Sequence, residues 1–494
     1  MFFENNGKHV MMKTKTVNNY STVIVINSAC YFNMKQCTTY KNFGKNLFCA
    51  CSGYHAWRTQ ERRRTKMDKK TLLKDLNAPE REVRLEALRG LRAMLDSGEI
   101  KEPVRTEDTN NHVHTTYSFS PYSPASAVYH AYMSGLSTVG IIDHDSIGGA
   151  REFIEAGEIM GITTTIGCEV RVSFADTPFN GMTLNNPDEP TVAYIALHGL
   201  PHNKIDELDV LLSGIREKRN ERNALEVARL NEILEPYGLS LDFDRDVRPL
   251  SMEHDGGSIT ERHILYALVK KLIGKYGKGQ PLLDFIGNDM GIEVKGAARG
   301  MLLDTEFEAY DYDVLNILKS NLVPRFFIAG GDDSLPVKKV VDYARGLGVI
   351  PTYCYLGDVA ESPTGDKKAQ KFEDDILDEL MPVVKKLGFE GFAYMPSRNT
   401  MQQLERVMQK CREFGFFEIS GEDINQPRQS FICIKQRDEA FRHLTDNTWA
   451  LVGHENAATL DPQECIYSES IKQEFPQMDE RVDYFKEIGL RYRK

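Results

Sequence analysis

Asn110-Asn111-His112-Val113-His114-Thr115 and, further along, Ile141-Ile142-Asp143-His144-Asp145-Ser146 are the two pieces of sequence on which the fold turns. His112 and His114 are two apart, so on a β-strand both side chains leave the same face. Asp143 and His144 close a second apolar run, Thr138-Val139-Gly140-Ile141-Ile142, which reads as a buried strand. Two strands ending in imidazole and carboxylate groups point first to a metal site at the carboxyl end of a parallel sheet or barrel.

Outward from this stretch, strands and helices alternate. Ser123-Pro124 starts a helix with Ala127, Val128, Ala131 and Tyr132 on its apolar face, and 147–159 reads as the next helix. Residues 163–172 are β-branched and read as a third strand carrying Cys168 and Glu169; 192–200 reads as a fourth, carrying His198. Residues 204–320 break the rhythm with long helical patterns at 207–234 and 261–276, the mark of a helical insertion. The alternation returns with strands at 321–329, 348–355, 389–394 and 416–420 and helices at 336–347, 372–386 and 401–414. Repeated βα units imply a parallel sheet, and about eight of them with polar groups at the strand ends fit a barrel better than an open sheet.

The expected organisation is therefore an α/β chain in several parts. Residues 1–66 form a basic extension without fixed structure, and 67–103 a short amphipathic helical segment with Leu85, Leu88, Leu91 and Leu95 at helical spacing. The barrel occupies 104–203 and 321–458 around the insertion at 204–320, and 459–494 reads as an acidic tail.

A chain of 494 residues has room for several domains or one elaborated barrel. Its 41% hydrophobic and 27% charged content is that of an ordinary globular protein. The net charge of −11 argues against coating duplex nucleic acid through bulk charge, while leaving room for a basic pocket that takes one phosphate. Charge is uneven: residues 1–66 carry eleven Lys and Arg against two Glu, roughly +9, so the remainder is near −20. Such a leader is compatible with organelle targeting; the plainer reading is an extension ahead of a functional start at Met67, in a cytoplasmic protein. Nine cysteines without a C-x-x-C pair suit a reducing compartment. No apolar run reaches about 18 residues, so no membrane span is expected.

The polar residues at the expected strand ends are His112, His114, Asp143, His144, Glu169, His198 and Asp423. A single histidine is more often a hydrogen-bonded core residue than a ligand. Seven such groups gathered at one end of successive strands would leave charge unpaired without a metal. Imidazole mixed with carboxylate suits Mn, Zn or Fe better than Mg or Ca. Glu169 is the natural bridge between two ions, which together lower the pKa of a shared water and hold both oxygens of a displacement.

The series His112-Val113-His114-Thr115, Asp143-His144-Asp145-Ser146, Gly167-Cys168-Glu169, His198 and Gly421-Glu422-Asp423-Ile424-Asn425 resembles the PHP (polymerase and histidinol phosphatase) superfamily. The resemblance implies a distorted TIM-like (βα) barrel with two metal ions, within a range of one to three, and hydrolysis of phosphate esters. Arg219-x-x-Arg222-Asn223, followed by a helix opening with Arg262-His263, is similar to the nucleotide and oligonucleotide phosphoesterase branch, where a helical insertion caps the active site. Carried over, His112, His114, Glu169 and Asp423 would hold one ion, Glu169 and His198 would share a second, and His144 would lie toward a third. Three positions depart from the pattern: Asn425 stands for a histidine in the last motif, Tyr353-Cys354-Tyr355 replaces a late His-Pro strand end, and Ser120 stands where a further ligand is usual.

The expected function is a metal-dependent phosphoesterase acting on a small phosphorylated substrate or nucleotide through a metal-activated hydroxide, with neither duplex nucleic acid nor membrane as partner. His144, Glu169 and Arg398 are its candidate catalytic residues. Arg222, Arg262, His263, Arg398, Arg428 and Asn425 are the candidates for holding substrate, arginine being the usual planar grip on phosphate. The alternatives are an amidohydrolase-like C–N hydrolase, which usually bridges its metals with a modified Lys, and a metal- or ligand-binding barrel without turnover. Oligomeric state is left open.

Overall fold

The computed structural model describes residues 68–359 and 371–494, together with the short strands Glu4–Asn5 and Lys8–His9, which pair antiparallel. Chain contacts divide it into Met1–Lys66 and Met67–Lys494. Apart from those two strands, the expectation for residues 1–66 falls outside the described residues.

Among the described residues eight strands build the second unit: β1 (Thr109–Val113), β2 (Thr138–His144), β3 (Thr163–Ser173), β4 (Val192–His198), β5 (Leu335–Pro336), β6 (Ile350–Cys354), β7 (Gly391–Ala393) and β8 (Phe417–Ile419). Their order is β8-β7-β6-β4-β3-β2-β1, with β5 paired to the end of β3. The two edges meet. His114 N donates to Ile424 O at 2.9 Å and Ile424 N to His112 O at 3.0 Å, so the segment just past β8 bridges to β1 in parallel. The sheet is thereby curled into a distorted βα barrel.

One strand departs from the all-parallel expectation. β4 runs antiparallel to both β3 and β6. The connection 174–191 contains no helix, and parallel neighbours need a crossover that a helix normally supplies. As a result His198 lies opposite Gly167, two residues before Glu169 along β3, instead of beyond a parallel strand end.

The early helices are α1 (Lys69–Asp75), α2 (Arg81–Asp96), α3 (Pro124–Met133) and α4 (Ala150–Met160). Leu85, Leu88, Leu91 and Leu95 of α2 are buried against the barrel core. Ser123 caps α3 by accepting from Ser126 N, with Pro124 in the first turn. The helical insertion follows as α5 (Ile205–Leu234), α6 (Glu261–Tyr276), α7 (Gln280–Asp284), α8 (Gly296–Leu303) and α9 (Tyr310–Phe326). It encloses a hydrophobic core of its own, including Leu230, Ile264, Leu268 and Leu318, into which Phe119 reaches from the loop after β1. The strand expected at 321–329 is instead the last turns of α9, which carries Pro324 inside it and buries Leu322, Val323 and Phe326.

The remaining helices are α10 (Val337–Gly346), α11 (Leu377–Leu387), α12 (Met401–Phe414), α13 (Arg442–Leu460), α14 (Glu469–Glu474) and α15 (Met478–Leu490). The acidic tail expected at 459–494 is thus largely helical. Ile471, Val482 and Phe485 from α14 and α15 share a core with Leu451 of α13 and with Ile350, Phe417 and Ile419 of the sheet. Among the described residues no helix is long and apolar enough to cross a membrane.

Candidate metal centre

β1 and its bulge set His112 and His114 side by side, their rings 5.1 Å apart. β2 and β3 are in parallel register with His144 beside Glu169. Glu169 Oε2 is the meeting point: His144 Nδ1 lies 2.9 Å away, His112 Nε2 3.9 Å and His114 Nε2 4.0 Å. Asp423 approaches from the bridging segment, with Oδ1 3.3 Å from His114 Nε2. His112, His114 and Glu169 each offer one ligand atom within 4.8 Å of the others. Donors about 2.1 Å from one ion stand roughly 3–4 Å apart, so the spacing suits a shared cation.

Two buried nitrogens support that fit. His198 Nε2 has no hydrogen-bond partner among the described residues, and His114 Nε2 meets only the carboxylates of Asp423 and Glu169, at 3.3 and 4.0 Å. His198, 3% exposed, lines the same small cavity of about 70 Å³ as His112, Glu169, Cys354 and Asp423. Burial pushes the His198 imidazolium down to about 3, which keeps the ring in its neutral, ligating form. Burial likewise lowers His112. Burial works against ionised Glu169 and Asp423, but the facing imidazoles outweigh it and hold both carboxyls below their ordinary range. His114 is raised despite its burial, because Asp423 and Glu169 attract positive charge to that point.

Asp143 is placed differently from the expectation that it ligates metal. Its Oδ1 accepts from Thr115 N and Ser118 Oγ and its Oδ2 from Thr115 Oγ1, all at 2.6 Å. These bonds commit the carboxylate to the turn after β1. Ser118, having given its proton to Asp143, is left to accept from His114 Nδ1 at 3.3 Å. That contact turns Nε2 of His114 toward Glu169 and Asp423. Ser118 and Thr115 carry no recognisable ligand chemistry, so their part was invisible in the sequence. Phe119, next in the turn, has φ of +98°, a strained conformation for an aromatic residue.

Most of the expected phosphate-holding residues already have partners. Arg222 pairs with Asp333 at 3.0 Å and Glu226 at 3.1 Å. His263 Nδ1 accepts from Thr260 N at 3.0 Å and so caps α6. Arg428 makes two bonds to Asp313 of α9 and stacks 3.8 Å over Phe307. Arg398 Nε donates to Leu356 O, and its guanidinium lies over Phe372, off the lining of the cavity. Asn425 Nδ2 donates to Asp423 Oδ1 at 2.7 Å and steadies a candidate ligand. Arg262 differs from these: it has no ion pair or hydrogen bond among the described residues, and its charge helps hold Asp423 low. Tyr355, at a position where the family pattern has histidine, donates its hydroxyl to Asp374.

Residues 110–239 match the PHP domain family. A 5′-3′ exoribonuclease of Haemophilus influenzae is 27% identical over 191 residues, which are 38% of this chain and 60% of that protein's length. Among solved structures, a protein of Bifidobacterium adolescentis classed as a metal-dependent phosphoesterase gives a TM-score of 0.45 at 18% identity, over 70% of this chain and 98% of its own. An amidohydrolase of Chromobacterium violaceum, solved with bound sulfate and no metal, gives 0.46 at 17%, over 69% and 96%.

Proposed function

Since residues 110–239 form a PHP domain, we propose that this protein is a metal-dependent phosphoesterase acting on a small phosphorylated molecule or a nucleotide. The observation that carries the reading is the convergence of His112 and His114 on Glu169, with the unpartnered Nε2 of His198 in the same cavity. His112, His114, Glu169 and Asp423 would hold one divalent ion, and Glu169 with His198 would hold a second more weakly. Ions bound there supply Lewis-acid charge and a water of lowered pKa, of the kind Mn, Zn or Fe provide.

The chain's own part is positioning and proton handling. Glu169, held ionised, fixes His144 through Nδ1 at 2.9 Å. His144 is then placed to give a proton to the leaving oxygen of an ester. Arg262, at the start of α6, is also off the cavity lining, but its charge has no ion pair among the described residues and bears on Asp423, so it would meet a phosphate from the side of the insertion. The cavity's tightness favours a single phosphoryl group over a duplex.

A C–N hydrolase is less well supported, because among the described residues no Lys lines the cavity and the bridging position is Glu169. Tyr355 is bonded to Asp374, and the amide of Asn425 donates to the candidate ligand Asp423, which favours fewer than three ions. The test is elemental analysis of the purified chain beside a phosphomonoester, phosphodiester, mononucleotide and 5′-phosphorylated oligoribonucleotide panel, with Glu169→Gln alongside. Bound ion and metal-dependent phosphate release, both lost in the variant, are expected. A preparation that takes up no Mn, Zn or Fe contradicts the reading, and metal uptake without turnover on any phosphate ester leaves only a binding protein.

A further inference from the structure

Three arginines line one face of α5 where the insertion meets the barrel. Arg216, Arg219 and Arg222 are spaced by three and almost fully buried. Arg222 stays within the insertion and the Asp333 loop, and Arg216 pairs with Asp209 while donating to Asp145 O at 3.1 Å. Arg219 has a different pair of partners. Its Nη1 is bonded to Asp145 Oδ2, and its Nη2 lies 3.6 Å from Glu261 Oε2.

Each of those carboxylates is next in sequence to a residue of the site. Asp145 follows His144, and Glu261 precedes Arg262. Asp145 has φ of +49°, a left-handed conformation that a non-glycine residue adopts only when its surroundings hold it there. The surroundings are specific: Asp145 N donates to Glu169 O at 2.8 Å, Arg216 takes its carbonyl, and Arg219 takes its carboxylate. Ser146 adds a bond to Gly256 O of the insertion at 2.7 Å. The corner that aims His144 at Glu169 is therefore held from the insertion side.

We propose that Arg219 is a positioning residue that ties the His144–Asp145 corner of the barrel to the Glu261–Arg262 start of α6. One guanidinium thus fixes the spacing between His144, beside Glu169, and Arg262. The functional meaning rests on the phosphoesterase reading; the tie itself does not. A merely structural Arg219 would loosen the whole insertion when removed, whereas a positioning one loosens its two attachment points.

The test uses the full chain as wild type, Arg219→Lys, Arg219→Gln, Asp145→Asn and the Arg219→Gln/Asp145→Asn double variant. Two readouts are amide exchange and the visible spectrum of the Co(II)-loaded protein. In Arg219→Gln, exchange should rise about tenfold or more at 143–148 and 260–264 while 265–272 keeps its protection. Asp145→Asn should reproduce only the first of these, and the double variant should be no worse than Arg219→Gln at 143–148. Arg219→Lys should recover part of the protection, and the Co(II) spectrum should change in the glutamine variant as His144 shifts against Glu169. Exchange unchanged at both segments, or raised evenly through 205–326, overturns the proposal. A wild type that takes up no Co(II) contradicts the metal-centre reading instead, and the exchange result still decides the tie; should Arg219→Gln fail to fold, Arg219→Lys and Asp145→Asn decide it.

Discussion

Asp143 acts on His114 through Ser118: the hydroxyl donates to Asp143 Oδ1 at 2.6 Å and faces His114 Nδ1 at 3.3 Å. A ring whose second nitrogen is fixed presents the first in one direction, and the outer partner tunes its basicity. Ser118→Ala removes the link while leaving every candidate ligand in place. Its ion affinity, measured by competition with a chromophoric chelator, should fall about 10–100-fold, and Asp143→Asn should fall at least as far. Affinity unchanged in both variants would mean that Asp143 serves the turn alone.

A second prediction concerns pH and stability away from the site. Glu373 is fully buried and accepts from Gly357 N at 3.0 Å and Tyr353 Oη at 3.1 Å. Burial outweighs these bonds and pushes its carboxyl from 4.5 up to about 7. Between those values the folded chain keeps a proton that the unfolded chain has lost. The contribution to stability is therefore full below pH 4.5 and declines as pH rises through about 7, by about 3 kcal/mol at most. Glu373→Gln should flatten this part of the curve and gain stability at pH 8 relative to wild type. Denaturant melts at a series of pH values check it, and parallel curves for the two proteins would refute it.

The sequence carried the site more clearly than it carried the supports of the site. His112, His114 and Glu169 were legible because two-residue spacing and apolar runs place side chains on a face without knowledge of the rest of the chain. Whether a charged residue is free is a long-range fact. Arg222 and Asp333 are 111 residues apart, and Arg428 and Asp313 are 115 apart. Both arginines looked available for phosphate until their partners were seen. His263 read as a phosphate contact because Arg262-His263 at a helix start resembles the phosphoesterase branch, and nothing local in the sequence showed that its ring closes a cap on Thr260. β4 looked like its neighbours, since strand direction is set by the connection and not by the strand. α13 was read past because it is buried around most of its girth and shows no single apolar stripe.

The segment ahead of the barrel offers a third test. Arg84 of α2 and Glu152 of α4 form an ion pair with both side chains 1% exposed, and Arg84 also donates to Ala78 O and Pro79 O. The pair locks the leucine face of α2 onto the barrel. Arg84→Met leaves a buried carboxylate without its cation and should cost about 3–5 kcal/mol. Arg84→Met with Glu152→Leu removes both charges and should recover most of that loss. Thermal melts of the two variants decide it, and a double variant as unstable as the single one would show that the carbonyl bonds of Arg84, not the ion pair, hold the segment.

The last test asks the same substitution to give opposite signs at two glycines. α13 and α15 cross where Gly453 meets Gly489. A methyl group on Gly453 would stand 1.8 Å from Phe485 O, and one on Gly489 would stand 1.9 Å from Trp449 O. Backbone atoms on both sides cannot yield without parting the helices. Gly453→Ala should therefore destabilise by about 3 kcal/mol, at the upper end for overpacking, and should expose the face of the sheet around Ile350 and Phe417. Gly214 of α5 is exposed with nothing within 4 Å of its added methyl. There the gain in helix propensity acts alone, and Gly214→Ala should stabilise by roughly 0.5–1 kcal/mol. Melting temperatures of the two variants, one falling and one rising, test whether the carboxyl-terminal helices are packed structure; a neutral Gly453→Ala would show that they are not.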